Sequence, residues 1–304
     1  MELRGFCPDW EAIAQSIEQD VSEPERGAAW QYAARQWVEG IRHAFGPRYE
    51  VHETSRFLIL TAASAGIARD VCQFCEWSLH CILQYLAGVA AEAGHGKHVV
   101  MMFEALDEYY DYIAHYYPEG SHPTSGGVYL DNGYGHFAVP VPDYFSYRNA
   151  LAHELTHACL SHRSIPQWLN EAIAMRMEGA LTDVYAFHFD RQLHQRHSAW
   201  WNANSIQSFW SGESWTVPGA GFELSYSLAQ ILWRKIEVDL RATREAVLQF
   251  IAGASIDDAG EESCRATFKR SLGDLVADFL GKGDWAPNPA AWPTRVAPRE
   301  SASR

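Results

Sequence analysis

The apolar spacing of this chain changes character once, near Tyr147, and that change limits the folds open to it. Before it, helical and strand-like spacing alternate; after it, only helical spacing recurs. Trp10, Ile13, Ile17 and Val21 share one helical face, as do Trp30, Ala33, Trp37, Ile41 and Phe45, and Gly46-Pro47 ends the pattern. Residues 49–61 read as one strand around the buried run Phe57-Leu58-Ile59-Leu60. Ser64 can cap a long helix starting near Ala65 and broken at Gly94-His95-Gly96. A strand at His98–Phe103 follows, then a short helix through Leu106, Tyr109, Tyr110 and Ile113, stopped by Pro118-Glu119-Gly120. Residues 126–130 and 136–141 flank Asp131-Asn132-Gly133, a strong hairpin signal. Pro140 and Pro142 lack amide donors, so the second of these strands is expected to end at, or lie on, a sheet edge.

Beyond Tyr147, one helix carries His153-Glu154-Leu155-Thr156-His157. The next opens at Ser164, in capping-box spacing with Gln167, and runs to Gly179. A stretch rich in Trp, His and Phe spans 185–215, and helices are expected near 225–238, 242–252 and 258–281. Residues 284–304 hold four prolines and read as a tail. The fold class is therefore α+β: a small mixed or antiparallel sheet with helices, then a mostly helical C-terminal half. The expected parts are an N-terminal helical segment (1–48), an α+β lobe (49–180), a helical lobe (181–283) and the Pro-rich tail (284–304). The histidine motif falls at the junction of the two lobes, a common position for clefts.

Composition narrows the function classes. Apolar residues make up 47% of the 304, enough for a sizeable core. A net charge of -14 argues against nucleic acid as partner, because phosphates call for Lys and Arg. The start, Met1-Glu2-Leu3-Arg4-Gly5-Phe6, has no basic region leading into an apolar one, and no apolar run spans a bilayer, so the expected compartment is the cytoplasm, with no membrane partner. Of the six cysteines, Cys72 and Cys75 match a metal or redox spacing, but no second such pair completes a four-thiolate site, and both sit in an amphipathic helix. Their expected role is packing.

Residues four apart on a helix lie on one face, so His153 and His157 can point two imidazoles at one ion. Glu154 stands beside them, near such an ion without ligating it. Fourteen residues after His157, Glu171 lies inside a separate helix, in Trp168-Leu169-Asn170-Glu171-Ala172. An antiparallel helix pair would bring it across as third ligand. Three protein ligands with an open fourth position are the pattern of catalytic zinc, and Glu154 would be the general base. Two histidines and one carboxylate also make the facial triad of non-haem iron oxygenases, and a non-catalytic zinc-binding scaffold is a further alternative. A purely structural site has no need of Glu154.

His153-Glu154-x-x-His157 followed by Trp168-Leu169-Asn170-Glu171-Ala172 resembles the gluzincin metallopeptidases, the thermolysin and aminopeptidase-N clan. It is most similar to their compact bacterial "peptidase MA-like" group, in which the gap to the second segment is short. The resemblance covers roughly residues 49–281. It implies a zincin-like fold, Zn2+ as cofactor, a peptide or protein substrate, and an oxyanion donor from a later helix. Phe222-Glu223-Leu224-Ser225-Tyr226 fits that element, so Tyr226 reads either as the donor or as a core tyrosine at a helix start. His188, His194 and His197 are fallback donors or solvated helix histidines.

Glu178, two turns after Glu171, could receive a ligand histidine's second N–H, or could be a solvated residue near the helix end. Trp200, Trp201, Trp210 and Trp215 could line a substrate pocket, although core packing is the commoner role. Two motifs of related zinc peptidases are absent, the amine-binding strand of the aminopeptidase-N family and the metzincin extension. The strand before the motif, Gly135-His136-Phe137-Ala138-Val139-Pro140, has no carboxylate to hold a substrate's free amine. Leu160 and Arg163 stand where the metzincin extension has Gly and His, which leaves His162 out of ligand register.

Overall fold

The computed structural model describes residues 7–92, 94–117, 126–131, 133–141, 147–184, 189–216 and 219–293. Pro118-Glu119-Gly120, expected to stop the fourth helix, Asn132, Pro142, His188 and positions 1–6 and 294–304 lie outside the described residues. The chain divides into two compact units, Met1–His162 with Met177–Val184, and Arg163–Arg176 with Tyr185–Arg304. The class is α+β, with five strands and twelve α-helices among the described residues. None of the described helices is long and apolar enough to cross a membrane.

In the first unit, α1 (Trp10–Asp20) and α2 (Arg26–Phe45) form as their spacing predicts. Gly46 ends α2 at φ +96°, where a side chain would be strained. β1 (Glu50–Glu53) and β2 (Phe57–Thr61) replace the single strand expected over 49–61. The turn between them has no Gly, Pro or Asn. It is held instead by Glu76 of α3 (Ala65–Tyr85), which accepts from Ser55 Oγ at 2.7 Å, Arg56 N at 2.8 Å and Arg56 Nε at 2.9 Å. α3 starts where Ser64 predicts, but that side chain makes no capping hydrogen bond.

β3 (His98–Phe103), α4 (Leu106–Ile113), β4 (Val128–Leu130) and β5 (His136–Pro140) follow. The sheet order is β1-β2-β3-β5-β4, with β2, β3 and β5 parallel and both outer strands antiparallel to their neighbours. The expected β4–β5 hairpin is present. Gly133 has φ +76°, and a Cβ there would stand 2.2 Å from Trp10 Cδ1, so only glycine fits. Pro140 ends β5, but β5 is an interior strand, and the sheet edge belongs to β4. A strand buried at all five positions needs cover on both faces. Alternation puts Leu58, Leu60, Val99, Met101 and Ala138 in one core with α1, α2 and α4. Trp37, fully buried, anchors it and meets Trp10 edge-on at 5.2 Å.

α5 (Tyr147–Leu160) packs on α3, β4 and β5. α6 (Gln167–Thr182) is one unbroken helix whose first part belongs to the second unit and whose last turns belong to the first. It starts later than Ser164: the Pro166 carbonyl takes the amide of Asn170 at 3.0 Å, and the Gln167 side chain turns to Glu171 rather than closing a capping box.

The second unit holds α7 (Arg191–Trp200), α8 (Ser205–Ser211), α9 (Ala220–Arg234), α10 (Arg244–Gly253), α11 (Glu261–Phe268) and α12 (Leu272–Leu280). The helix expected over 258–281 is thus two, because Lys269 turns left-handed at φ +58° and Ser271 caps α12 with Asp274. Trp168 centres this core, its indole N–H donating to the Ala259 carbonyl at 2.9 Å. Residues 284–293, read from the sequence as part of a tail, are held by hydrogen bonds to the second unit. Gln207 binds the Ala286 carbonyl, the Asn288 amide and the Trp292 indole, and Trp210 donates to the Trp285 carbonyl.

Burial raises the Glu76 carboxyl, but hydrogen bonds from Ser55, Thr54 and Arg56 outweigh it and hold it at about 2, against an ordinary 4.5. A lowered folded pKa stabilises above the unfolded value and loses that contribution as pH falls towards the folded one. Glu76→Gln should therefore cost roughly 2 kcal/mol at neutral pH. The gap between wild type and variant should close as pH falls from 5 towards 2. Denaturant unfolding across that range checks it; a pH-independent gap contradicts it.

Candidate metal centre

The site grows from α5. Its sequence, rich in Ala and Leu, favours helix. Leu151, Ala152, Leu155, Ala158 and Cys159 are buried, and His153, Glu154 and His157 are half-buried. One helical turn separates the two histidines, and their Nε2 atoms stand 3.0 Å apart.

The far side of His153 fixes its tautomer. Its Nδ1 lies 3.3 Å from Glu178 Oε2, and Asn149 Nδ2 donates to the other oxygen of that carboxylate at 3.0 Å. With Nδ1 as the donor in this pair, a neutral His153 would present the lone pair of Nε2 towards His157. Glu178 is thus the partner of His153, not a solvated residue near the helix end.

Glu171 is 5% exposed. Gln167, one turn earlier on α6, donates from Nε2 to Glu171 Oε1 at 2.9 Å. The donor atoms of His153, His157 and Glu171 all lie within 4.8 Å of one another. A tetrahedral zinc with bonds of about 2.0–2.1 Å separates two ligand nitrogens by roughly 3.3 Å, so the 3.0 Å between the imidazoles needs only a few tenths of adjustment. Two imidazoles and a carboxylate suit zinc and iron alike. The donor set and spacing therefore fit a divalent ion, and these three residues could hold one.

Glu154 faces the edge of the sheet. The Tyr129 amide of β4 donates to its Oε2 at 2.8 Å. Tyr117 stands near enough that the Glu154 charge, after burial, helps push its phenol up. Neither contact is legible in sequence, because both depend on where α5 crosses β4.

The other sequence candidates have contacts of their own. Tyr226, on α9, is half-buried, with ring contacts to Trp215 at 4.8 Å and Phe222 at 5.0 Å between centroids. His197 is not solvated: it is buried, accepts from the Trp201 indole at 2.9 Å and meets Ser227 Oγ at 2.8 Å, and burial pushes it down to about 4. His194 is engaged with the Phe279 carbonyl at 3.1 Å. His162 is exposed. His136 is buried, bonded to Tyr112 and to the Tyr134 carbonyl, and burial pushes it down to about 4. Trp201, Trp210 and Trp215 are buried, while Trp200 is 43% exposed. All six cysteines are free, and burial raises the thiols of Cys72 and Cys75.

Comparison with protein-family models, with curated proteins and with solved structures finds no match.

Partners of ligand histidines typically change metal affinity 10–100-fold. Glu178→Gln should weaken metal binding by about that factor while leaving the melting temperature of the metal-free protein within a few degrees. Competition against a chelator of known affinity measures it. An unchanged affinity would show that Glu178 does not act on His153.

Proposed function

We propose that this chain is a gluzincin-type zinc metallopeptidase with a zincin-like catalytic site. The observation that carries the reading is the convergence of His153, His157 and Glu171 within 4.8 Å, with Glu154 on the same helix. A zinc ion held there would polarise a water and the scissile carbonyl, the chemistry that zinc supplies to hydrolysis.

The remaining roles fall to the chain's own groups. Glu178 keeps His153 in the tautomer that presents Nε2. Gln167 orients the Glu171 carboxylate. Glu154 takes the water's proton and returns it to the leaving amine. The Tyr129 amide holds one of its oxygens in place for that transfer. β4 is the sheet edge beside Glu154. Tyr226 is the proposed oxyanion donor. An acidic group that merely supported a structural ion would need none of this arrangement beside it.

Glu154→Gln tests the reading. Gln matches Glu in size and still hydrogen-bonds, but cannot carry the proton. The variant should keep its metal and its fold and lose peptide turnover by about 10²–10⁴-fold, the usual worth of general acid–base catalysis. Turnover and metal content are measured on one preparation. Full activity at full metal content would remove Glu154 from the mechanism and the mechanism with it.

A further inference from the structure

Within the second unit, a cavity of about 470 Å³ opens beside Gln167. Gln167 is also the residue that donates to Glu171 Oε1, so the cavity wall stands one hydrogen bond from a metal ligand. Trp215 lines the same cavity, and its ring packs against that of Tyr226. A hydrogen bond of 2.6 Å between Ser214 Oγ and Ser225 Oγ ties the Trp215 turn to α9 and keeps these rings together. The cavity therefore touches, through one residue each, the carboxylate ligand and the proposed oxyanion donor.

Its lining has a definite chemistry. Ile165, Trp215, Ile256 and Pro293 supply apolar surface, and Glu213 is the one charged residue among those described. Glu213 is exposed. We propose that this cavity is a side-chain pocket of the substrate site and that Glu213 selects a Lys or Arg side chain. The proposal rests on the peptidase reading and names its substrate class.

A long basic side chain has an apolar stem and a charged head. The apolar wall takes the stem, the Trp215 face attracts the cation, and the Glu213 carboxylate forms a charge-assisted hydrogen bond with the head. A substrate Glu at that position would meet Glu213 as a like charge. A neutral side chain of equal length would keep the stem contact and lose the rest.

Two assays on the full chain test this, with zinc content and melting temperature measured for every variant. The first follows cleavage of matched peptides that differ only in Arg, citrulline, Leu or Glu at positions flanking the scissile bond. The second follows binding of Nα-acetyl-arginine amide and its citrulline counterpart by calorimetry, which needs no turnover. Arginine should exceed citrulline by about tenfold in both, the size expected of one charge-assisted contact with a cation–π partner. Glu213→Gln should erase the ratio, and Glu213→Lys should turn the cleavage preference towards Glu.

Cleavage without basic preference, or a preference that survives Glu213→Gln, overturns the proposal and leaves the peptidase reading standing. No cleavage of any peptide, with Glu213-dependent arginine binding, overturns the peptidase reading and supports the pocket. Binding of both amides alike by wild type overturns the pocket whatever the cleavage result.

Discussion

Glu171 is 5% exposed, and a carboxylate taken that far out of water needs donors and positive charge around it. Gln167 supplies one donor from the preceding turn of the same helix. The imidazoles of His153 and His157 stand close by, with Nε2 atoms facing each other at 3.0 Å. Two nitrogens and a carboxylate oxygen at such distances could hold a divalent cation. On α6, Trp168 donates to the Ala259 carbonyl, Glu178 faces His153 and Asn149, and Glu171 lies between them in sequence.

The sheet answers a second need, the placement of Glu154. β5 is buried throughout and must be interior, which leaves short β4 as the edge that α5 meets. The β4 amide at Tyr129 is turned to Glu154 instead of a neighbouring strand. Glu154 and the sheet edge are therefore brought together by the same packing of α5 on β4.

What the sequence revealed and what it hid divide along a physical line. The helices α1, α2 and α3 were legible because their apolar residues recur at helical spacing, and the β4–β5 hairpin because Gly133 must turn left-handed against Trp10. The His153, His157 and Glu171 group was legible because two ligands share one helix face and the third sits in a recognisable segment. The β1–β2 turn was hidden because Glu76, twenty residues away, supplies what Gly or Asn would supply locally. The interior position of β5 was hidden because strand order is set by crossovers and not by composition. Residues 284–293 looked like a tail because proline is common in tails, yet Gln207 binds three of their polar groups. Glu178 was legible in position only: its helix face pointed the right way, but its partner on α5 required the tertiary fold.

The proposed chemistry needs one metal ion on His153, His157 and Glu171. X-ray absorption at the zinc edge, joined to elemental analysis, measures this. About one zinc per chain is expected, with a first shell of nitrogen and oxygen only and the outer-shell scattering of two imidazoles. Glu171→Gln should reduce occupancy without adding sulfur to that shell. Absence of metal after zinc addition, or a shell containing sulfur from the free cysteines, would contradict it.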